Sequence, residues 1–236
     1  MRLSSLTVFF PFLNDEGTVS RQIELAYSVG SRLSDNLEVI AINGGTSKDL
    51  TFEKIKDEQK KHPDLMIVNK SENTEGYAVI KYGLAASTKD WVFYTDGDAQ
   101  YHLEEDMEKL VRKQEKTNAD VINGYKRHRG DSFIRIFLGN MYKRTVRRIF
   151  KLPIRDTDCD FRLIRKSFLD KINLESTDAS ILPELIKKLE LAGAKFAEVE
   201  VSHYRRSYGK SNYSAISLLL EKIVGDTKLY FRLRKY

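Results

Sequence analysis

Along the first hundred residues, apolar β-prone runs repeatedly stop at Asn, Gly or Asp and give way to segments with helical spacing. Residues 6–12 form one such run, ended by Asn14-Asp15-Glu16-Gly17 and followed by a helical pattern over 19–33. Residues 37–42 end at Asn43-Gly44-Gly45 and precede a charged helix over about 50–61. A third strand at 65–69 and a helix at about 77–86 lead to Trp91-Val92-Phe93-Tyr94-Thr95, which runs straight into Asp96-Gly97-Asp98. A helix over 103–117 and a strand over 120–123 continue the rhythm. Strands buried on both faces read as continuous apolar runs, and their alternation with helices predicts an α/β fold. The sheet should be mostly parallel, with helices on both faces. Further on, 125–150 reads as a helix of mixed polarity, 180–192 as an amphipathic helix and 195–203 as a strand. No internal repeat or low-complexity linker interrupts the chain, so residues 1–214 read as one domain, followed by a basic amphipathic segment over 215–236.

Length and composition exclude several classes. A chain of 236 residues with 41% hydrophobic and 31% charged residues can bury a sizeable core and suits a soluble globular protein. The single cysteine, Cys159, excludes an internal disulfide and reads as a small buried residue. The four histidines are scattered and give no zinc spacing. No signal-peptide pattern opens the chain and no apolar run reaches the roughly 20 residues that span a bilayer, so a cytoplasmic location is expected. The net charge of +6 is concentrated. Lys126, Arg127, Arg129, Arg135, Lys143, Arg144, Arg147, Arg148 and Lys151 face a single nearby acid, Asp131. Such a patch attracts a phosphorylated ligand, an anionic membrane surface or nucleic acid, or it is simply a solvated helix face. Over 215–224, Ile216, Leu219, Leu220, Ile223 and Val224 form a helical apolar stripe followed by aromatic and basic residues. Core packing and an interfacial position on a membrane both fit it.

In open α/β sheets ligands gather at the carboxyl ends of the strands. Here those ends supply Asn14 and Glu16, then Asn43, Gly45 and Thr46, then Asp96 and Asp98. Carboxylates two residues apart can hold a hard divalent cation against a diphosphate, although Asp-Gly-Asp is also an ordinary turn. Backbone amides, small polar groups and a carboxylate pair suit a nucleotide. The chain carries neither G-x-x-x-x-G-K-[ST] nor a G-x-G-x-x-G after its first strand, which argues against a P-loop enzyme and a dinucleotide-binding protein.

Several motifs in order carry a family resemblance. Pro11-Phe12-Leu13-Asn14-Asp15-Glu16, Asn43-Gly44-Gly45-Thr46 and Asp96-Gly97-Asp98-Ala99-Gln100 resemble the family 2 glycosyltransferases of GT-A (Rossmann-like) fold. Gly124-Tyr125-Lys126 with Arg129, Asp131 and Arg135 is similar to a run found in the dolichol-phosphate mannose synthase and bacterial polyprenyl-phosphate branch. Asp156-Thr157-Asp158-Cys159-Asp160-Phe161-Arg162 resembles its D-x-x-C-G-F-[RK] motif, and Arg206-Ser207-Tyr208-Gly209-Lys210-Ser211 its R-x-x-G-x-S segment. Pro183-Glu184 and Glu198 match further acidic positions.

The resemblance implies an inverting, metal-dependent transfer of a sugar from a nucleoside-diphosphate donor to a polyprenyl phosphate. Asp96 and Asp98 would hold Mg2+ or Mn2+, and Pro11, Asn14, Glu16, Asn43, Gly45, Gln100 and Arg206 would line the donor site with Asp96. Lys126, Arg129, Arg135 and Ser211 would receive the acceptor phosphate. Asp98, Asp156, Arg129 and Arg135 would surround the reacting centre, with Asp156 positioning rather than acting as a base. Peripheral attachment to the cytoplasmic face of a membrane, with a small membrane subunit as partner, is part of the same expectation; a nucleic-acid partner is not. The chain departs from the family at Asn43-Gly44-Gly45-Thr46, where Asp-Asp-Gly-Ser is usual, at Glu75-Gly76, at His102-Leu103 and at Asp160, where glycine is usual. A saccharide or other non-lipid acceptor and a catalytically degenerate homologue stay open.

Overall fold

The computed structural model describes residues 2–72, 76–126, 133–209 and 215–234, with side chains described outside 133–137 and 215–218. Its strands are β1 (Leu6–Phe12), β2 (Leu37–Asn43), β3 (Met66–Asn69), β4 (Trp91–Thr95), β5 (Val121–Lys126), β6 (Phe161–Arg165) and β7 (Phe196–Val201). The helices are α1 (Val19–Leu33), α2 (Thr51–Lys61), α3 (Ile80–Ala86), α4 (Leu103–Thr117), α5 (Phe133–Phe150), α6 (Lys166–Leu169), α7 (Ile181–Leu191) and α8 (Ala215–Leu233), with a 3-10 turn over Gly76–Val79 leading into α3. One sheet takes the order β3-β2-β1-β4-β6-β5-β7. It is parallel except at β6, which runs antiparallel to both β4 and β5. The expected rhythm is therefore present, except that β5 runs on to Lys126 where the helix over 125–150 was expected to begin, and α5 starts at Phe133; β6 is the addition. Its sequence, Phe161-Arg162-Leu163-Ile164-Arg165, carries arginine where a buried strand is expected to be apolar.

The pleat sends alternate side chains into different cores. Val8, Phe10, Val39 and Phe93 pack with Ile23 and Ala26 of α1 and Leu110 of α4. Phe9, Ile40, Val92 and Tyr94 pack on the other face with Ile80 and Leu84 of α3 and Leu185 and Leu189 of α7. A third cluster joins Tyr142, Val146 and Phe150 of α5 to Ile186 of α7 and Leu229 of α8.

Helix α8 is arranged against the usual pattern. Its buried face carries Lys222, Asp226 and Leu229, whereas Leu220, Ile223, Val224 and Phe231 are exposed. Gly225 lies so close to Asp178 that an added Cβ would stand 2.5 Å from its Oδ1. Among the described residues, no helix is long and apolar enough to cross a membrane.

Candidate active site

Parallel pairing of β1 with β2 and β4 brings their carboxyl ends to one edge of the sheet. Gly97 makes close approach possible there. Its N–H donates to the Pro11 carbonyl at 3.2 Å, and an added Cβ would stand 2.2 Å from the Phe12 ring. Asn14 and Ala99 turn the chain sharply just beyond β1 and β4, each at φ 59°. Thr18 Oγ1 donates to the Gly97 carbonyl at 2.7 Å, tying the loop after β4 to the start of α1. The result is a cleft of about 150 Å³ walled by Pro11, Leu13, Gly44, Tyr77, Asp96, Asp98, Asp160 and Arg206.

The cleft is rich in acid. Asp98 is buried, and its Oδ2 accepts a hydrogen bond from Arg206 Nη2 at 2.6 Å. Its Oδ1 accepts the Gln100 N–H at 3.1 Å. Asp15 takes the Leu13 N–H on Oδ2 at 2.9 Å and leaves Oδ1 3.7 Å from Arg206 Nη1. Burial pushes the Asp15 carboxyl up to about 6, against the Leu13 hydrogen bond and the Arg206 charge. Asp96 is only partly open to solvent and is crowded by protein. Desolvation, then the neighbouring charges of Asp160 and Asp98, hold its carboxyl well above the ordinary range. Desolvation raises Asp160 as well, with Arg162 and Lys126 opposing. Clustered carboxylates that resist ionisation are a donor set that a hard divalent cation fits. Among the described residues, no group of three or more candidate ligands converges on one point. Further ligands for such an ion would therefore come from a substrate diphosphate or from water.

A distant stretch of chain crosses these strand ends. Gln100 and Tyr204 exchange hydrogen bonds, Tyr204 N–H to the Gln100 carbonyl at 2.8 Å and Gln100 Nε2 to the Tyr204 carbonyl at 2.9 Å. Tyr208 donates to Glu16 Oε1 at 2.7 Å, while Glu16 Oε2 accepts the Leu50 N–H at 2.6 Å. Gly209 adopts φ 69°, and an added Cβ would stand 3.2 Å from the Asn14 carbonyl. This strap places Arg206 over Asp98.

Beyond β5 the polar groups are held by a different set of cations. Lys126 Nζ donates to the Asp158 carbonyl at 2.8 Å. Asp156 is buried with Lys143 Nζ at 3.1 Å from its Oδ2. Lys222, from α8, stands 2.8 Å from Asp158 Oδ2 and holds that carboxyl below its usual range despite burial. Arg162 is fully buried. Its Nε donates to Asn123 Oδ1 at 2.5 Å, its Nη1 to the Tyr94 hydroxyl and its Nη2 to the Thr157 carbonyl. The strand register explains this, because Arg162 lies opposite Tyr94 on β4 and Asn123 on β5. Of its possible acidic partners, the ion pair forms with Asp160, at 3.6 Å.

The residues singled out in the sequence are thus distributed as follows. Pro11, Asp96, Asp98 and Arg206 share the cleft. Asn14 accepts the Lys48 N–H on its Oδ1 at 2.7 Å and shapes the loop. Asn43 is buried and donates to Asn69 Oδ1 at 2.8 Å, so the cleft wall at the end of β2 is Gly44, with Gly45 buried behind it. Glu16 and Gln100 brace the strap. Lys126 and Asp156 meet at the end of β5, where the Lys126 N–H points to Asp156 Oδ2 at 3.5 Å. Arg129 and Ser211 lie outside the described residues, and Arg135 lies in α5 where only the backbone is described. Glu184 is buried and accepts the Glu175 and Ser176 N–H groups, a structural role. Asp15 and Tyr208 sat inside quoted motifs without a role of their own, Lys143 was one charge of the basic patch, and Lys222, a charge beside the apolar stripe of the last helix, carried no signal of its contact with Asp158.

A mostly parallel sheet with a carboxylate pair at the end of its central strand is the arrangement of a GT-A-like fold. The chain matches the family model described as Glycosyl transferase family 2 over residues 7–173, and it belongs to that family. It is 26% identical over 215 residues to an undecaprenyl-phosphate 4-deoxy-4-formamido-L-arabinose transferase of Aeromonas hydrophila subsp. hydrophila, covering 91% of this chain and 64% of the relative. The transferase of the same name from Proteus mirabilis is 24% identical over 220 residues, covering 92% and 65%. The chain thus spans slightly less than two thirds of these curated relatives. Among solved structures, glucosyl-3-phosphoglycerate synthase of Mycobacterium tuberculosis in complex with Mg2+ and uridine diphosphate superposes with a TM-score of 0.66 at 15% identity, over 95% of this chain and 79% of that one. The same synthase with phosphoglyceric acid gives 0.66 at 16% identity, over 94% and 78%. At this identity the likeness concerns the fold.

Proposed function

We propose that this chain transfers a sugar from a nucleoside-diphosphate donor to a polyprenyl phosphate, with inversion at the anomeric carbon. The observation that carries the reading is the acid-rich cleft at the end of β4, where Asp96 and Asp98 lie under Arg206. Asp96 and Asp98 would hold Mg2+ or Mn2+ on the donor diphosphate. The ion supplies charge neutralisation as the nucleoside diphosphate departs. Arg206 adds a cation on the same side and can move from Asp98 to a phosphate oxygen, where charge-assisted hydrogen bonds are strong. Pro11, Asn14, Glu16, Gly44, Gly45 and Gln100 form or brace the donor side of the cleft. Lys126, with Arg129, Arg135 and Ser211 from the adjoining segments, would receive the acceptor phosphate. That phosphate is ionised at neutral pH, so its oxygen attacks the anomeric carbon as the bond to the diphosphate breaks, and no strong base is needed. Asp156, engaged by Lys143, suits a positioning role.

The relatives named for undecaprenyl-phosphate transfer support a polyprenyl acceptor. The outward apolar stripe of α8, Leu220, Ile223, Val224 and Phe231, with Lys228 and Arg234 nearby, supports docking on the cytoplasmic face of a membrane, where a small membrane subunit would find it. Flotation with anionic liposomes should show salt-sensitive association; a protein that stays at the bottom of the gradient at low salt contradicts the docking. The activity is tested by following labelled sugar from a nucleotide donor into the organic phase with undecaprenyl phosphate and Mn2+. Asp98→Ala should lower that transfer at least ~100-fold, the scale of losing one electrostatic stabiliser of the transition state. Undiminished transfer by the variant rejects the assignment.

A further inference from the structure

Asp160 is an acid of the cleft wall to which the reaction above gives no role and which the fold engages only through the charge of Arg162. It begins the approach to β6, is only 4% exposed, and still forms part of the cleft wall beside Asp96 and Asp98. Among the described residues, no group donates a hydrogen bond to it, and its Oδ1 is buried without a partner. The nearest cation, Arg162 Nη1, stands 3.6 Å from that oxygen. Arg162 directs three of its five N–H groups to Asn123, Tyr94 and the Thr157 carbonyl, and at 3.6 Å it pairs with Asp160 by charge without a hydrogen bond. Neutralising Arg162 at a distance therefore leaves the hydrogen-bonding capacity of Asp160 unmet. A buried carboxylate in that condition is costly unless a ligand completes it.

The chemistry of that ligand is constrained. A phosphate oxygen brings negative charge and no donor, so the diphosphate does not belong against Asp160. A sugar hydroxyl or amide N–H offers the missing donor. We infer that Asp160 is a specificity residue of the donor site: it accepts a hydrogen bond from the transferred sugar and excludes sugars that carry a carboxylate. Rejection of like charge is as much a part of specificity as attraction. The inference rests on the donor-site reading above and assigns one wall of that site to the sugar.

Calorimetric titration in the presence of Mn2+ tests it. The ligands are uridine and guanosine diphosphates, their neutral hexose donors, and a uridine-diphosphate hexuronate. The readout is the affinity of each donor relative to its own bare diphosphate, which cancels effects of Asp160 on the ion and the phosphates. For the native protein this ratio should favour a neutral donor over the hexuronate by about 10–100-fold, the scale of a hydrogen bond to a buried charge. Asp160→Asn and Asp160→Gly should shrink the preference to within about threefold while bare diphosphate still binds, which also shows that the variants fold. Equal acceptance of the hexuronate by the native protein overturns the inference, as does a preference that survives in both variants. A native protein that binds no diphosphate defeats the donor-site reading itself.

Discussion

The edge formed by β1, β2 and β4 and the seam where β4, β6 and β5 meet handle charge in opposite ways. At the edge, the strands carry one charged residue, Glu38 near the start of β2, and the acids that wall the cleft all come after the strands have ended. At the seam, Arg162 is embedded within a strand, with Tyr94 and Asn123 in register on either side. Charge at the edge is left partly uncompensated, with Asp96, Asp15 and Asp160 all raised above the ordinary carboxylate range. Charge at the seam is consumed by neighbours. The difference separates a region arranged to meet a ligand from one arranged to hold β6 in an otherwise parallel sheet.

Removing the seam's cation should have the largest effect. Arg162→Ala strands the Asn123, Tyr94 and Thr157 acceptors and leaves Asp160 without its neighbouring charge. The unfolding free energy in urea should fall by about 3–5 kcal/mol, the scale for breaking a buried charged network. A loss below about 1 kcal/mol would make the seam dispensable and erase the contrast. At the edge, Gly97→Ala drives a methyl into the Phe12 ring and the Pro11 carbonyl. Overpacking of this kind costs about 1–3 kcal/mol, and here it should also depress nucleotide binding by shifting Asp96 and Asp98. Unchanged stability together with unchanged binding would show that the two strand ends need not approach so closely.

A smaller effect sharpens the comparison through pH. Asp226 of α8 accepts a hydrogen bond from the Tyr142 hydroxyl at 2.8 Å, and burial pushes its carboxyl up to about 6 from 3.8. Between those values the folded state binds the proton more tightly than the unfolded chain does, so stability falls as pH rises from about 4 to 6. Asp226→Asn removes that cost while leaving an acceptor for Tyr142. Thermal unfolding should show a gain of roughly 1–2 kcal/mol at pH 7.5 that vanishes near pH 4. A variant that is destabilised at both pH values would mean that the ionised carboxylate is needed by the buried network around Lys222.

The edge was legible in the sequence because its signals are local. Apolar runs, Asn14, Gly97 and the Asp pair announce where strands stop, and the helices over 19–33 and 103–117 fall where their periodicity places them. The seam was not legible. Strand β6 is short and carries Arg162, whose burial is tolerable only because two other strands bring acceptors to it. For the same reason Asp160 could be seen as an unusual residue in its motif but not as an acid beside Asp96. The apolar stripe at 215–224 left core packing and exposure equally open, and the structure divides it. Leu219 packs against the third cluster, while Leu220, Ile223 and Val224 remain outside because Lys222 and Asp226 take the buried face to meet Asp158 and Tyr142.

The central claim is that Asp96 and Asp98 grip a divalent cation on a nucleoside diphosphate. Thermal unfolding of the native protein and of Asp98→Ala, with uridine or guanosine diphosphate and with or without Mn2+, tests it most directly. At about a hundred times its Kd, a bound diphosphate adds ~2.7 kcal/mol, a rise of roughly 5–10 °C for a chain of this size. The native protein should show that rise only when the metal and one of the diphosphates are present together, and Asp98→Ala should show none of it. A diphosphate that stabilises both proteins equally, with or without Mn2+, contradicts the account.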